Sequence, residues 1–243
     1  MKFSDKVVVV TGGANGIGLS IVDAFLEAGA SVCVIDLQKE PVACGLYFCG
    51  DIADENTLVS FVDAVVTRFG GVDFLVNNAC LSGGGIISGC GYEDFLYLQK
   101  VGVVAPYMLS KLFLPYFRTD AAIVNISSTR ASMSQPDTES YTAAKGGINA
   151  LTHALAISLA GKLRVNSISP GWINTANSAI TATDHSQHPA GRVGTPADVA
   201  KLTLFLCSKD SSFITGENIT VDGGMTKLMI YHNDNGWELK VEN

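Results

Sequence analysis

The hydrophobic pattern of the chain alternates between short apolar runs and longer segments with a helical period. The short runs are rich in β-branched residues, and most are apolar at every position. Continuous apolar runs of this length are typical of strands covered on both faces in a parallel sheet. They predict about seven strands, at 6–11, 31–36, 46–51, 72–79, 121–127, 163–169 and 218–224.

The segments between these strands have the length and periodicity of helices. Several of them end in glycine, which is a common stop signal for a helix. The segments are 17–30, 55–70, 92–117, 141–161 and 196–209. Such a repeated strand–helix–strand order predicts an α/β fold, with a doubly wound parallel sheet of the Rossmann type and helices on both faces.

The whole chain, 1–243, is predicted to form one domain. No linker rich in proline, glycine or serine divides the sequence, and no internal repeat is present. Two stretches depart from the alternation of strands and helices. Residues 174–191 are small and polar and predict a mobile substrate loop, and residues 225–243 form a C-terminal tail that contains aromatic side chains.

Acidic residues outnumber basic ones, so that the formal net charge is −7. This balance argues against nucleic acid and anionic membranes as partners, because both require clustered lysine and arginine. No apolar run approaches the roughly 20 residues of a bilayer span, and the first residues lack the pattern of a secretory signal. The six cysteines include no CxxC pair, which predicts reduced thiols in a cytoplasmic protein.

A glycine-rich stretch, TGGANGIG at 11–18, joins the first predicted strand to the first predicted helix. Gly12, Gly16 and Gly18 permit a tight turn and let a diphosphate approach the backbone N–H groups at the start of a helix. A simple glycine-rich turn is the alternative. The position between a strand and an amphipathic helix favours a dinucleotide site.

Carboxylates end the second and third predicted strands. Asp36 lies 18 residues after Gly18, where it can accept hydrogen bonds from the ribose hydroxyls of an adenosine and repel the additional phosphate of NADP. The sequence therefore predicts NAD as the cofactor, with NADP less favoured. Asp51 is expected near the adenine. For both aspartates the alternative is a structural role in the turn that follows.

Five short motifs follow one another along the chain. They are TGGANGIG at 11–18, NNA at 77–79, the serine-to-lysine stretch at 128–145, SPGWINT at 169–175 and VDGG at 221–224. Their order resembles that of the short-chain dehydrogenase/reductase family, over nearly the whole chain. The resemblance implies an NAD(P)-dependent oxidoreductase that forms a homodimer or homotetramer. It implies further cofactor contacts at Asn15, Ile17, Ile52, Asn78, Ala79, Pro170, Gly171 and Ile173.

Tyr141 and Lys145 lie four residues apart, so they share one face of a predicted helix. A free tyrosine ionises at about pH 10, and an ammonium group within a few ångströms favours the ionised form. The resemblance implies that Tyr141 exchanges a proton with the substrate oxygen, that Lys145 holds the nicotinamide ribose, and that Ser128 hydrogen-bonds the reacting oxygen. Ser127 is the competing serine. A solvated helix face is the alternative for the tyrosine and lysine.

Two positions depart from the pattern of the family. Many members have an asparagine where this chain has Gly102, and the backbone carbonyl there usually holds a water that relays protons through the lysine. Glycine keeps that carbonyl and permits a local distortion of the helix. Cys80 replaces a glycine near the expected nicotinamide. It is expected to be a small apolar side chain, with a redox-sensitive thiol as the alternative.

Further side chains are candidates for the substrate site. Arg130, two residues after Ser128, can pair with a carboxylate or phosphate, or can lie at a surface or subunit contact. Trp172 can wall the nicotinamide side of the pocket or serve only in packing. His185 and His188 are expected to be solvated, and no metal site is predicted, because no third ligand accompanies them.

The function predicted from the sequence is transfer of a hydride between NAD and a secondary alcohol or ketone. The loop 174–191 is expected to close over this small-molecule substrate. The alternative is a protein of the same fold that senses NAD or scaffolds partners without turnover. Gly102 keeps that alternative open, and the intact serine, tyrosine and lysine argue against it.

Overall fold

The strands lie close to the predicted positions. They are β1 (Val7–Thr11), β2 (Ser31–Asp36), β3 (Leu46–Cys49), β4 (Val72–Asn77), β5 (Phe117–Ile126), β6 (Arg164–Pro170) and β7 (Asn218–Val221). In this computed structural model, residues 2–231 and 233–236 are described. His232 and Trp237, two of the aromatic side chains of the predicted tail, lie outside the described residues.

All strands run parallel in one seven-stranded sheet, in the order β3-β2-β1-β4-β5-β6-β7. The chain moves outward from β1 to β3 and then returns to place β4 on the other side of β1. Ligands of open α/β sheets bind at the carboxyl ends of the strands where the order reverses. The topology therefore confirms the predicted fold. It also predicts a ligand site in the crevice at the carboxyl ends of β1 and β4.

The helices connect the strands and cover both faces of the sheet. They are α1 (Gly16–Glu27), α2 (Glu55–Phe69), α3 (Tyr92–Gln99), α4 (Ala105–Phe113), α5 (Glu139–Ser158), α6 (Ala182–Ser186) and α7 (Pro196–Cys207). Local sequence accounts for their ends. In α2, for example, the Asp54 carboxylate accepts a hydrogen bond from Thr57 N at 2.8 Å, and Gly70 ends the helix with φ of 72°.

Two hydrophobic layers enclose the sheet because successive residues of a strand point to opposite faces. In β1, Val7 and Val9 belong to one buried cluster, and Val8 and Val10 belong to the other. The first cluster includes buried side chains of α2 and α4, and the second includes those of α1 and α7. Burial on both sides explains why the strands are apolar throughout.

The predicted helical segment 92–117 is not one helix. A π-helical segment, Lys100–Val104, separates α3 from α4, and Phe117 already belongs to β5. Gly102 lies in the middle of the π segment and is buried against α5, where a Cβ on it would come within 2.8 Å of the Ala144 Cβ. A glycine at 102 thus permits the close approach of the π segment to α5, a contact that a periodic pattern does not reveal.

The segment 174–191 contains the short helix α6, which was not predicted. Thr181 and Asp184 form a reciprocal capping box at its start, with Thr181 N bonded to the Asp184 carboxylate at 2.7 Å. The closure of this segment over a substrate stays a prediction. No helix in the described part of the chain is long and apolar enough to cross a membrane.

Candidate active site

Two adjoining cavities lie along the carboxyl ends of the central strands. One, of about 390 Å³, lies beside the glycine-rich loop, and is called here the glycine-loop cavity. The other, of about 730 Å³, is lined by Tyr141 and is called here the tyrosine cavity. Both are lined by Ile17, Asn78, Cys80 and Thr175, so they form one continuous cleft.

Every residue predicted for the cofactor and catalytic sites lines one of these two cavities. The glycine-loop cavity contains Gly12, Asn15, Gly16, Ile17, Gly18, Asp36, Asp51, Ile52, Asn78 and Ala79. The tyrosine cavity contains Ser128, Tyr141, Lys145, Pro170, Gly171 and Ile173. The structure thus brings together residues that are up to 161 positions apart in the sequence, from Gly12 to Ile173.

The turn from β1 into α1 leaves no room for a side chain at Gly12 or Gly18. A Cβ on Gly18 would lie 1.9 Å from the Gly12 carbonyl oxygen, and one on Gly12 would lie 2.8 Å from Ala79 Cα. Gly12 and Gly16 also have φ of 64° and 54°, the left-handed region that favours glycine. This bare loop at the start of α1 fits the diphosphate of a dinucleotide, which needs close approach to backbone N–H groups.

Polar contacts fasten the glycine-rich loop to the end of β4. Asn78 Nδ2 donates to the carbonyl oxygens of Thr11 and Gly12, at 3.0 and 2.9 Å. The Thr11 hydroxyl oxygen in turn accepts from the backbone N–H groups of Asn78 and Ala79, both at 3.0 Å. These bonds fix the distance between the carboxyl ends of β1 and β4, where the strand order reverses.

Backbone donors orient the carboxylate of Asp36 at the end of β2. Its two oxygens accept from Ala14 N at 2.9 Å and from Gln38 N at 3.0 Å. Asp36 thus forms the turn that was the structural alternative, and it also lines the glycine-loop cavity. Both partners are neutral, so the negative charge stays available to hydroxyl donors of a ligand.

Asp51 is held by the side chain of Tyr97, a residue that the sequence did not single out. The Tyr97 hydroxyl donates to one oxygen of Asp51 at 3.0 Å, and Ala53 N donates to the other at 2.8 Å. Partial burial and then the hydrogen bond to Asp51 raise the pKa of Tyr97 above its ordinary value. The phenol therefore stays a donor at neutral pH and fixes the carboxylate in the cavity wall.

Ser128, Tyr141 and Lys145 reach the tyrosine cavity from two adjacent elements. Ser128 follows the end of β5, and the other two lie in the first turns of α5. Lys145 is only 5% exposed, and its Nζ donates to the Ile126 carbonyl at 2.8 Å and lies 5.5 Å from the centre of the Tyr141 ring. The ammonium group thus has a fixed position beside the phenol.

The two candidate serines have different hydrogen bonds. The Ser127 hydroxyl donates to the Lys145 carbonyl at 3.1 Å, and so ties the end of β5 to α5. The Ser128 oxygen accepts from Arg130 N at 3.2 Å, which leaves its hydroxyl hydrogen for a ligand in the cavity. This arrangement favours Ser128 as the serine that contacts a reacting oxygen.

Comparisons with known proteins show the family to which the chain belongs. A family model described as enoyl-(acyl carrier protein) reductase matches residues 12–226. An uncharacterized oxidoreductase of Thermotoga maritima is 42% identical over 93% of this chain and 98% of its own length. The chain belongs to the short-chain dehydrogenase/reductase family. It is therefore an oxidoreductase that acts on CH–OH or C=O groups of small molecules, in a family that uses NAD(P).

Other members of the short-chain dehydrogenase/reductase family share the fold as well as the sequence. The structure of an apo SCOR enzyme from Clostridium thermocellum is 48% identical and covers 97% of this chain and 98% of that chain, with a TM-score of 0.89. An L-fucose dehydrogenase of Mus musculus is 35% identical over 92% of this chain and 89% of its own length.

The structure places both positions that the sequence singled out as departures from the family pattern, Gly102 and Cys80, near the cleft or the helices that border it. Gly102 lies in the π segment and packs on Ala144, the residue before Lys145, so that a larger side chain there would displace α5 or α4. Cys80 lines both cavities, and its Sγ lies 3.6 Å from the Leu81 carbonyl oxygen. Neither position interrupts the continuity of the cleft.

The histidine prediction is wrong for one of the two residues. His188 is 2% exposed, with its ring 6.2 Å from that of Trp172 and its Nδ1 3.1 Å from the Asp184 carbonyl oxygen. His185 is partly buried and accepts from Val193 N through Nδ1 at 3.2 Å. The turn after α6 therefore buries the ring of His188, whereas His185 lies within α6 and keeps part of its surface exposed. No cluster of three metal-ligating side chains occurs in residues 2–231 and 233–236.

Sequence reasoning missed several residues of the cleft. Thr175 lines both cavities, and the predicted substrate loop contributes Gln187 to the tyrosine cavity. Met225, the first residue of the predicted tail, also lines the tyrosine cavity. Threonine, glutamine and methionine occur in many roles, so the sequence does not mark these residues as functional. They are recognised only by their location in the folded structure.

Proposed function

We propose that the protein is an NAD-dependent oxidoreductase that transfers a hydride between the nicotinamide and a secondary alcohol or ketone. One observation carries the proposal. Ser128, Tyr141 and Lys145 line a single cavity that continues into the one lined by the bare glycine loop and Asp36. This continuity suits a dinucleotide laid across the end of the sheet with its reactive ring beside the tyrosine.

The proposed chemistry divides between cofactor and protein. The nicotinamide, when bound, supplies or accepts the hydride. In the oxidation direction, the Tyr141 oxygen receives the hydroxyl proton of the alcohol as the carbon–oxygen double bond forms. In the reduction direction, the same oxygen returns that proton to the carbonyl oxygen.

Neighbouring side chains prepare the tyrosine for this exchange. The Lys145 ammonium is held by the Ile126 carbonyl at 5.5 Å from the centre of the Tyr141 ring, and it can donate to the ribose hydroxyls. The Ser128 hydroxyl donates to the reacting oxygen and fixes its position next to Tyr141. Trp172, which is 38% exposed, forms part of the wall of the cavity.

The preference for NAD over NADP rests on the charge of Asp36. Its carboxylate lines the glycine-loop cavity, and none of the described residues that line this cavity is a lysine or arginine. An additional phosphate on the adenosine ribose would meet this negative charge, and although Lys39 is near in sequence, it does not line the cavity. The same carboxylate accepts hydrogen bonds from the two hydroxyls of an unmodified ribose.

The protein is further proposed to be a cytoplasmic homodimer or homotetramer. Consecutive apolar side chains near the end of the described chain support assembly, because they are between 41% and 72% exposed. These are Leu228, Met229, Ile230 and Tyr231. The cytoplasmic assignment rests on the unpaired cysteines, of which Cys33 and Cys207 are buried.

Substitution of Tyr141 by phenylalanine tests the mechanism. The variant keeps the ring and its packing but loses the hydroxyl, so we expect NADH production from a fractionated metabolite extract to fall by about 10²-fold or more. NADH affinity, measured by fluorescence titration, should stay unchanged. Tyr107→Phe, at a half-exposed position outside both cavities, is the control and should keep full activity. Equal turnover by Tyr141→Phe and wild type would refute the mechanism.

A further inference from the structure

The tyrosine cavity carries a positive charge in a protein of net negative charge. Its lining includes two cationic side chains, Lys145 and Arg130, and none of the described residues that line it is an aspartate or glutamate. The chain as a whole has a formal net charge of −7. Two cationic side chains without an acidic neighbour in the cavity lining indicate that this charge has a function, because placing an unpaired cation in a cleft costs solvation free energy.

Lys145 accounts for only one of the two charges. Its Nζ is buried, bonded to the Ile126 carbonyl at 2.8 Å, and directed toward the Tyr141 ring. In the proposed function it serves the phenol and the cofactor ribose. Arg130 is therefore the cation that remains for the substrate.

The local structure fixes Arg130 close to the reacting groups. It lies in the short 3₁₀ helix Thr129–Ala131, directly after Ser128, and its backbone N–H donates to the Ser128 oxygen at 3.2 Å. Arg130 lines the same cavity as Ser128 and Tyr141. A substrate whose reacting oxygen lies beside Ser128 and Tyr141 therefore occupies a cavity that Arg130 also lines.

The partner of the guanidinium orients it without neutralising it. Arg130 Nη2 donates to Gln135 Oε1, a neutral amide oxygen that also lines the tyrosine cavity. Within the described chain, Arg130 forms no ion pair with a carboxylate. The guanidinium therefore keeps its full positive charge. Its remaining N–H donors lie in one plane, a geometry that suits a carboxylate or phosphate.

The acidic residues nearest to Arg130 in sequence are occupied elsewhere. The Asp137 carboxylate accepts hydrogen bonds from the backbone of Gly85, Ile87 and Ser88, each at 2.9 Å. The Glu139 carboxylate accepts from Ile86 N at 3.2 Å. Both acids fasten the loop after β4, and neither compensates the guanidinium.

We propose that the substrate is an anion, a hydroxy acid or a phosphorylated alcohol or its ketone, whose carboxylate or phosphate binds to Arg130. The anionic group pairs with the guanidinium while the oxygen to be oxidised or reduced meets Ser128 and Tyr141. This inference rests on the proposed function for the position of the reacting oxygen. The binding of the anion itself depends only on Arg130.

Binding measured without turnover tests the anion site. NADH-loaded Tyr141→Phe is titrated with two matched pairs of ketones: acetoacetate against 4-hydroxy-2-butanone, and dihydroxyacetone phosphate against dihydroxyacetone. The readout is the change in NADH fluorescence. We expect one charged ketone to bind at least tenfold more tightly than its neutral counterpart, and the pair that shows the difference identifies carboxylate or phosphate as the anion.

Variants of Arg130 decide whether this side chain is responsible. In Tyr141→Phe combined with Arg130→Gln, the preference for the charged ketone should disappear, and Arg130→Lys should retain part of it because it keeps the charge. Lys162→Gln removes a charge at the exposed surface outside the tyrosine cavity, and should leave every affinity unchanged. Equal affinities within both pairs, an unchanged preference in Arg130→Gln, or no binding of either charged ketone would each overturn the proposal.

Two further readouts separate this proposal from its alternatives. If Arg130 instead holds subunits together, Arg130→Gln should lower the molar mass in light scattering, and the ketone preference should be absent from the start. If Tyr141→Phe keeps wild-type turnover but still prefers the charged ketone, the mechanism fails and the anion site stands. If turnover depends on Tyr141 but charged and neutral ketones bind alike, the anion site fails and the mechanism stands.

Discussion

The glycine-loop cavity is lined by the carboxylates of Asp36 and Asp51, whereas the tyrosine cavity next to it is lined by the cations Lys145 and Arg130. Each of these charges is held by neutral groups, such as Ala14 N and the Tyr97 hydroxyl for the acids, or the Ile126 carbonyl for the lysine. Because these partners are neutral, each cavity keeps the net charge of its own side chains. The first cavity therefore suits hydroxyl and amine donors, and the second suits an anion.

The amino end of β4, at the opposite end of the strands from the cleft, contains a charged side chain with a structural role. Asp73, only 1% exposed, accepts from Lys6 Nζ at 2.8 Å and Arg118 Nη1 at 3.0 Å, and also from Val7 N at 2.9 Å. Two cations and a backbone donor occupy both oxygens of this buried carboxylate, so its contacts are made within the protein. The contrast teaches that the partner of a charged side chain distinguishes a binding group from a structural one.

The largest effect is expected in the tyrosine cavity, from Lys145→Met. The substitution keeps a side chain of similar length but removes the ammonium that the Ile126 carbonyl holds beside Tyr141. We expect kcat to fall by about 10²- to 10⁴-fold, the usual range for loss of general acid–base catalysis. NADH affinity should also fall, because a ribose contact is lost. Steady-state kinetics with fluorescence titration measures both, and wild-type kcat in the variant would contradict the role of the lysine.

An intermediate effect is expected in the glycine-loop cavity, from Asp36→Ala. Removing the carboxylate removes the repulsion of a phosphate, which is about 1 to 4 kcal/mol at a separation of 4 Å, depending on the local dielectric. The ratio of NADPH to NADH affinity should therefore rise by about tenfold or more. Asp36→Asn is the matched control, since it removes the charge and can still accept from Ala14 N or Gln38 N. An unchanged ratio in both variants would refute the ribose contact.

The smallest effect is expected from Tyr97→Phe, which changes the orientation of Asp51 but not the charge of the cavity. The variant loses one hydrogen bond of 3.0 Å, a net contribution of about 1 kcal/mol. NADH should bind about fivefold more weakly while kcat stays the same. Tyr92→Phe on the same helix, at a position 78% exposed, should bind NADH like wild type. A fall in kcat instead would show that Tyr97 affects catalysis in the tyrosine cavity. It would contradict the assignment of separate roles to the two cavities.

Much of this architecture was determined by the sequence itself. The apolar runs predict β1 to β7 because strands buried on both faces have no polar positions, and the glycine-rich stretch predicts the loop before α1 because only glycine fits that turn. Tyr141 and Lys145 were placed on one helix face by their spacing alone. In each case the signal is local, within a few residues along the chain.

The tertiary structure decided the features that depend on contacts between distant segments. The sequence pattern did not determine the place of Arg130 in the lining of the tyrosine cavity, the bond from Tyr97 to Asp51, the π segment around Gly102 or the burial of His188. A helical or extended period states which residues share a face, but not which neighbour that face meets. Segments distant in the chain supply those neighbours, such as Asp51 for Tyr97 and Trp172 for His188, because their side chains must fill the same volume.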